Sequence, residues 1–304
     1  MLIPVLFGVS VILFITIRWI PGDIAELKLG DKATPEDVAQ LREQLGINRP
    51  LVNQYGDWVS GIFTGDWGTS LWTGNSVISE VRRSLPVTLE LGVFALFIAI
   101  LISIPTGIIS AIRQDTATDY VVRIIAILGL AVPGFWLGIL MLTYSARWFH
   151  WTPPIGYVSF FDDPLTNLKQ FIMPAFADGF MAAALTMRMM RSALLEVLRQ
   201  DYIRTAWAKG LRERVVVTRH ALKNAFIPVL TVIGNGIGYL LGGTVIFEQI
   251  FSLPGLGRLT FSSITLRDYP QLQANVLVIA IWFVLINLIV DVLYSYFDPR
   301  IRYA

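Results

Sequence analysis

Few side chains in this sequence are of types that make or break covalent bonds. There is no cysteine, which excludes disulfides, thiolate nucleophiles and Cys-ligated metals. His150 and His220 are the only histidines; neither belongs to an H-E-x-x-H or His/carboxylate cluster, and both read as interfacial or loop residues. No G-x-x-x-x-G-K-[ST] phosphate loop occurs, and the Gly234-x-Gly236-x-Gly238 run neither follows a strand nor opens such a loop. No nucleophile–base pair is present, so no catalytic residue, cofactor-binding residue or metal ligand is assigned. What remains is non-covalent chemistry, concentrated between Arg199 and Pro228 in a segment carrying Arg199, Arg204, Lys209, Arg212, Arg214, Arg219 and Lys223.

That segment has the signals of a short helix. Asp201 is expected as the N-cap, Tyr202 to Lys209 as the helix, and Gly210 as the left-handed residue that ends it. Lys209 falls in the last turn, where a cation suits the helix dipole. Tyr202, Ile203 and Ala206 share one side, with Arg199, Lys209 and Arg212 around it. Such a helix can seat apolar residues in a partner's groove while cations hold the rim. The alternative is a solvated loop whose charge only sets topology.

The elements around this segment are membrane spans. Hydrophobic residues make up 55% of the chain and charged residues 15%, against about 25% charged in soluble domains, and the mean hydropathy is +0.62. A bilayer core needs about 20 mostly apolar helical residues. Six stretches qualify: Leu2 to Ile20, Val87 to Ala111, Val121 to Phe149, Phe171 to Met190, Phe226 to Phe247 and Asn275 to Phe297. No small-residue cleavage site follows the first, and Arg18-Trp19-Ile20-Pro21-Gly22 reads as an interfacial exit, so it is not a signal peptide.

Short-loop cations set the orientation. One side holds thirteen: Arg113, Arg123, Arg188, Arg191, Arg199, Arg204, Lys209, Arg212, Arg214, Arg219, Lys223, Arg300 and Arg302. The other holds four: Arg147, Lys169, Arg258 and Arg267. Both termini and the basic loop are therefore expected in the cytoplasm.

The long segment from Pro21 to Pro86 is then external. Thr34 reads as an N-cap with Pro35 at the first helical position, Val38, Leu41 and Leu45 form one face, and Gly46 closes the turn. Leu51, Tyr55, Trp58, Val59, Ile62, Phe63 and Trp67 are spaced to lie along the membrane surface. Asp57 and Gln271 are expected to be accessible on this side. Pro105, Pro133, Pro174 and Pro228 permit kinks, and Gly107, Gly129, Gly134, Gly138, Gly236, Gly242 and Gly243 permit close helix contacts. Glu90, Arg123, Arg147, Asp178, Arg188, Glu248 and Asp291 fall at span ends, where pairing or snorkelling is the expected role.

Ordered motifs along essentially the whole chain carry a resemblance. They include Pro21-Gly22-Asp23, Leu45-Gly46-x-x-x-Pro50-Leu51, Gly65-Asp66-Trp67-Gly68-x-Ser70, Leu85-Pro86-x-Thr88-Leu89-Glu90 and Met190-Arg191-Ser192. Further on come Gln200-Asp201-Tyr202-Ile203-Arg204-Thr205-Ala206-x-Ala208-Lys209-Gly210, Arg219-His220-Ala221-Leu222, Pro254-Gly255-Leu256-Gly257, Arg267-Asp268-Tyr269-Pro270 and Asp298-Pro299-Arg300-Ile301-Arg302-Tyr303. Together they resemble the inner-membrane permease subunits of bacterial peptide ABC importers, the dipeptide/oligopeptide permease family.

The resemblance implies an all-α polytopic membrane protein with six transmembrane helices and the type I ABC importer transmembrane-domain fold. Residues 1–86 would be the first span with the external segment, 87–297 the permease core with a cytosolic coupling loop near 191–225, and 298–304 a cytoplasmic tail. The family's E-A-A-x-x-x-G loop falls on Arg204, Thr205, Ala206 and Gly210, and its first two positions depart from the generic motif. Asp201, Tyr202, Ile203 and Lys209 complete the implied ATPase-coupling site. Arg267, Asp268, Tyr269 and Pro270 would serve an extracytoplasmic docking surface or gate. Implied partners are a second homologous permease subunit, two cytosolic ATPases holding ATP and Mg, an extracytoplasmic solute-binding protein and the lipid bilayer, with no nucleic acid. The implied cargo is di- or oligopeptides, with nickel chelates, glutathione, opines or oligosaccharides as alternatives. An ion-coupled secondary transporter would be expected to carry central carboxylates or broken helices, and spans two, three and five lack a central Asp or Glu. A membrane enzyme would need a catalytic constellation.

Overall fold

The computed structural model describes residues 2–19, 24–30 and 33–297. Pro21-Gly22-Asp23, the Asp298–Tyr303 motif with Arg300 and Arg302, and the side chain of Asp291 lie outside the described residues. Among those residues every named element is helical, with one isolated antiparallel bridge between Thr69 and Ser76. The chain divides into two compact units, Met1–Pro86 with Gly255–Val284, and Val87–Pro254 with Leu285–Ala304.

The first unit contains α1 (Leu2–Trp19), α2 (Ile24–Leu29), α3 (Pro35–Gln44), α4 (Leu51–Thr64), the start of α5 (Val77–Ile112), α12 (Leu256–Thr265) and the start of α13 (Tyr269–Phe297). Thr34 begins α3 through a capping box: its hydroxyl accepts from the Asp37 N–H, and the Asp37 carboxylate accepts from the Thr34 N–H. Residue types alone specify this start. The aromatic stripe expected on α4 is divided. Tyr55 and Trp58 turn onto Phe14 of α1, with ring centroids 5.2 and 6.1 Å away, and the Ser10 and Tyr55 hydroxyls bond at 2.8 Å. Leu51, Val52 and Phe63 stay exposed.

The second unit is organised around α8 (Pro164–Leu198), which packs against α6 (Ala117–Ala131), α7 (Gly134–Phe149) and α11 (Leu222–Ile250). Asp163 caps α8 by accepting from the Leu165 and Thr166 N–H groups, and the Thr166 hydroxyl and backbone hold its carboxyl below the usual aspartate range. Small residues let these helices approach closely. A side chain at Gly179 would run into the Ala95 carbonyl, and one at Gly107 would lie 2.9 Å from the Met187 carbonyl. Gly129, Gly134 and Gly138 are similarly enclosed by Ala184, Phe180, Ala177 and Phe247. On the expected glycine packing face of α11, Gly234 is buried and Gly243 meets Asp178, whereas Gly236 and Gly242 face open space within the chain.

One span expectation needs correction. Val121 to Phe149 is not one helix: α6 and α7 meet at 101° across Val132 and Pro133. A residue before proline is driven out of the α region, and Val132 is extended (φ −89°, ψ 122°), followed by Pro133 with ψ 130°. Pro174 and Pro228, by contrast, sit inside uninterrupted helices. Among the described residues four helices are long and apolar enough to cross a membrane, or five if the bent pair forms one span. At 18 residues, α1 is marginal for the roughly 20 that a bilayer core requires.

The close packing at Gly179 leads to a first expectation. Gly179→Val should cost about 1–3 kcal/mol by overpacking, seen as a lower unfolding temperature in detergent. Gly236→Ala in the isolated chain should leave that temperature nearly unchanged.

Candidate functional site

The basic loop folds as α9 (Asp201–Ala208), α10 (Glu213–Val215) and a π-helical segment, Val216–Ala221, that runs directly into α11. Gln200, not Asp201, is the N-cap (φ −72°, ψ 149°), and its side chain makes no capping bond. Asp201 is instead the first helical residue, exposed, and 3.4 Å from Arg204 Nη1. A carboxylate there still suits the positive end of the helix dipole. Lys209 is the C-cap, and Gly210 has φ +75° with its N–H donating to the Trp207 carbonyl. A β-branched residue is an outlier at such a φ, so glycine is required by the backbone alone; nothing lies within 4 Å of where its Cβ would stand.

The face assignment also changes. Ile203 is 0% and Ala206 6% exposed, both buried with Ala111, Leu194, Val216, Val217 and Ala221 of the same chain. They anchor α9 from beneath and are not free to enter a partner's groove. The outward face carries Tyr202 and Trp207, each more than two-fifths exposed, with Arg204, Thr205 and Lys209. The Tyr202 hydroxyl accepts from Asn224 Nδ2 at 2.8 Å, fixing the ring against α11. Trp207, outside the set expected from sequence, lies on this exposed face, and an indole within a run of cations was a readable signal. The cluster beneath α9 draws on α5, α8, the π segment and α11, so the loop is a handle gripped by three long helices.

A buried ion pair borders the same end. Asp119, at the start of α6, is fully buried, and Arg191 of α8 reaches it with two bonds, Nε to Oδ1 at 2.8 Å and Nη2 to Oδ2 at 2.7 Å. The Ser110 hydroxyl of α5 and the Asp115 N–H fill the remaining lone pairs. Such bidentate, charge-assisted bonds are the strong class.

In the Arg267-Asp268-Tyr269-Pro270 segment, expected as a docking surface or gate, the one carboxylate is turned inward. Asp268 is 4% exposed; its carboxylate accepts from the Ser70 hydroxyl and the Leu71 N–H, while Trp72 Nε1 donates to the Leu266 carbonyl. Arg267 takes a left-handed turn at φ 56°, and Arg267, Tyr269 and Pro270 are half-buried. This carboxylate latches the 66–76 loop to the α12–α13 turn. Gln271, expected to be accessible, is 2% exposed; Asp57 is exposed and paired with Arg49 at 2.7 Å.

Of the other span-end ionisable residues, Glu90 and Glu248 are hydrogen-bonded, whereas Arg123, Arg147 and Arg188 are exposed. Glu90 accepts from the Tyr157 hydroxyl and Asn167 Nδ2. Burial first, and that bond second, push the Tyr157 phenol upward. Glu248 accepts from the Thr88 hydroxyl. Asp178 is not at a span end: it lies well inside α8, buried, with Oδ2 lacking a hydrogen-bond partner and Oδ1 against Gly243. His150 is the exposed left-handed C-cap of α7, and His220 is half-buried in the π segment. Among the described residues no group of His, Cys, Asp or Glu is placed to hold a metal.

The chain is similar to known proteins. The family described as binding-protein-dependent transport system inner membrane component matches residues 103–303, and the N-terminal family of the same components matches residues 2–92. A dipeptide transport system permease protein of Alkalihalophilus pseudofirmus is 45% identical, covering 100% of this chain and 97% of its own. A glutathione transport system permease protein of Escherichia coli is 38% identical, covering 99% and 96%. In three dimensions the chain is similar to an inward-facing methionine ABC transporter, with a TM-score of 0.58, 17% identity, and coverage of 73% of this chain and 97% of that one.

The ion pair leads to the next expectation. Asp119→Leu leaves Arg191 uncompensated and should cost about 3 kcal/mol. Asp119→Leu combined with Arg191→Met should recover much of that loss. Unfolding temperatures of both singles and the double in detergent give the coupling.

Proposed function

Because the chain belongs to the family of binding-protein-dependent transport system inner membrane components, we propose that it is the peptide-carrying permease of an ATP-driven importer. It is a multi-pass inner-membrane protein. In this reading α1, α5, the α6–α7 pair, α8, α11 and α13 make six spans with both termini in the cytoplasm. A second, similar permease completes the path, two cytosolic ATPases hold ATP and Mg, and an external binding protein delivers solute. The dipeptide and glutathione transport relatives support a short-peptide cargo.

The observation that carries the reading is the seating of α9. Its inner residues, Ile203 and Ala206, join a core shared with α5, α8 and α11, while Tyr202, Trp207, Arg204 and Lys209 face outward. A partner that grips the outer face therefore pulls on three spans at once through a rigid contact. Rigid-body movement of an ATPase is passed to the spans as helix displacement, and the chain itself hydrolyses nothing. Asp201, Thr205 and Gly210 shape this handle: the first by its dipole contact, the second by its bond to the Asp201 carbonyl, the third by its turn. The Arg267–Pro270 turn keeps its proposed role on the external surface only as scaffold, through the Asp268 latch.

Two outcomes are expected. Trp207→Ala should weaken ATPase association by roughly 30-fold, the scale of an interface hot spot. Gly210→Val should weaken it by displacing the loop. Both variants should still insert, which co-purification of the ATPase alongside membrane yield will read; equal co-purification of both with wild type would remove the coupling role. Peptide uptake in cells should persist when the proton gradient is collapsed at high ATP. It should stop when ATP is depleted with the gradient intact, and uptake by this chain alone under an ion gradient would contradict the proposal.

A further inference from the structure

Close to the ion pair, α6, α8 and α11 enclose a cavity of about 580 Å³ whose lining includes Arg123, Arg188 and Arg191 above Ile127, Leu185 and Val232. The three cations are not equivalent. Arg191 is committed to Asp119 by two short bonds. Neither Arg123 nor Arg188 has a hydrogen bond or an acidic partner among the described residues; Arg123 only faces the Tyr120 ring, 5.6 Å from its centroid. Both side chains are exposed. Arg188 sits one turn deeper along α8 than Arg191, inside a helix long and apolar enough to span. Uncompensated guanidiniums at such depth are costly, and an anion in the cavity would remove the cost.

We infer that this cavity binds the phosphate of an acidic phospholipid from the cytoplasmic leaflet. A phosphate-type oxyanion matches two guanidiniums, which offer forked donors. The surroundings select a lipid over a free anion. Beside Arg123, the outer side of α6 presents Val121, Ile124, Ile127 and Leu128, all more than half exposed. An apolar strip leading from a basic mouth into the span is the surface that an acyl chain needs below its headgroup. Basic pockets between helices on the cytoplasmic side hold anionic headgroups in this way, with each cation worth enough that two give a roughly 30-fold preference over a zwitterionic lipid. The choice of leaflet rests on the orientation proposed above; the binding itself does not.

The test uses the whole permease complex in nanodiscs of phosphatidylcholine with or without phosphatidylglycerol. Native mass spectrometry should find phosphatidylglycerol retained, and R123Q/R188Q should lose about one lipid per copy of this chain with a roughly 30-fold drop in preference. R123K/R188K should retain most of it, which separates lost charge from lost folding. Phosphatidylglycerol should also raise the unfolding temperature of the wild type and not of R123Q/R188Q. Equal lipid retention by wild type and R123Q/R188Q overturns the inference, as it would if another subunit covers the cavity. If inorganic phosphate in pure phosphatidylcholine gives the same arginine-dependent protection, the site takes a soluble anion and the lipid assignment is wrong. ATPase co-purification in the same preparations shows separately whether the coupling reading stands.

Discussion

Asp119 is a carboxylate with no exposed side-chain surface, covered by its own partners in a turn whose neighbouring residues are exposed. Burying a lone charge costs far more than the chain can spare, so the fold must bring Arg191 to it from 72 residues away. Once that pair forms, with Ser110 and the Asp115 N–H filling the other lone pairs, α5, α6 and α8 can meet in only one register. The cavity beside it, the seating of α9 and the entry of the chain into the basic loop all inherit that register. The pair is therefore more an alignment device than a source of net stability, since well-packed apolar residues often do as well energetically.

Above this anchor the second unit is held by shape. Helices surrounded by lipid gain little from burying apolar surface, and close backbone approach supplies the attraction instead. Gly179 on Ala95 and Gly107 on the Met187–Met190 turn are the closest of these approaches. Polar groups at the other end follow the same economy: Glu90 takes Tyr157 and Asn167, and Glu248 takes Thr88. A chain with 15% charged residues thus places several of them where they tie elements together, leaving cations of the basic loop facing outward.

What could be read from sequence depended on how local the cause was. The Thr34 cap and the left-handed Gly210 follow from neighbouring residues and were legible. Asp201 was taken for a cap because its type favours that position, but the preceding Gln200 already has the extended backbone that a cap needs. Ile203 and Ala206 were recognised as one apolar face, yet periodicity cannot say whether the chain or a partner covers it. The Asp119–Arg191 pair joins distant positions and leaves no local trace. Pro133 was visible, but an apolar run continuing on both sides masked a turn of 101°. Asp178 was placed at a span end because the helix extends seven residues earlier than Phe171, to Pro164.

The π-helical segment from Val216 to Ala221 has a consequence of its own for this geometry. A π turn holds an extra residue compared with an α turn. One residue corresponds to about 100° of rotation around a helix axis, so the direction in which every later side chain of α11 points is set by residue count at this joint. Asn224, which bonds the Tyr202 hydroxyl, and Gly243, which admits Asp178, owe their facing to that phase. Substitutions within the joint alter only what is attached there, whereas loss of a single residue would turn the whole span. The join between loop and span is, in effect, a vernier whose setting is written in chain length.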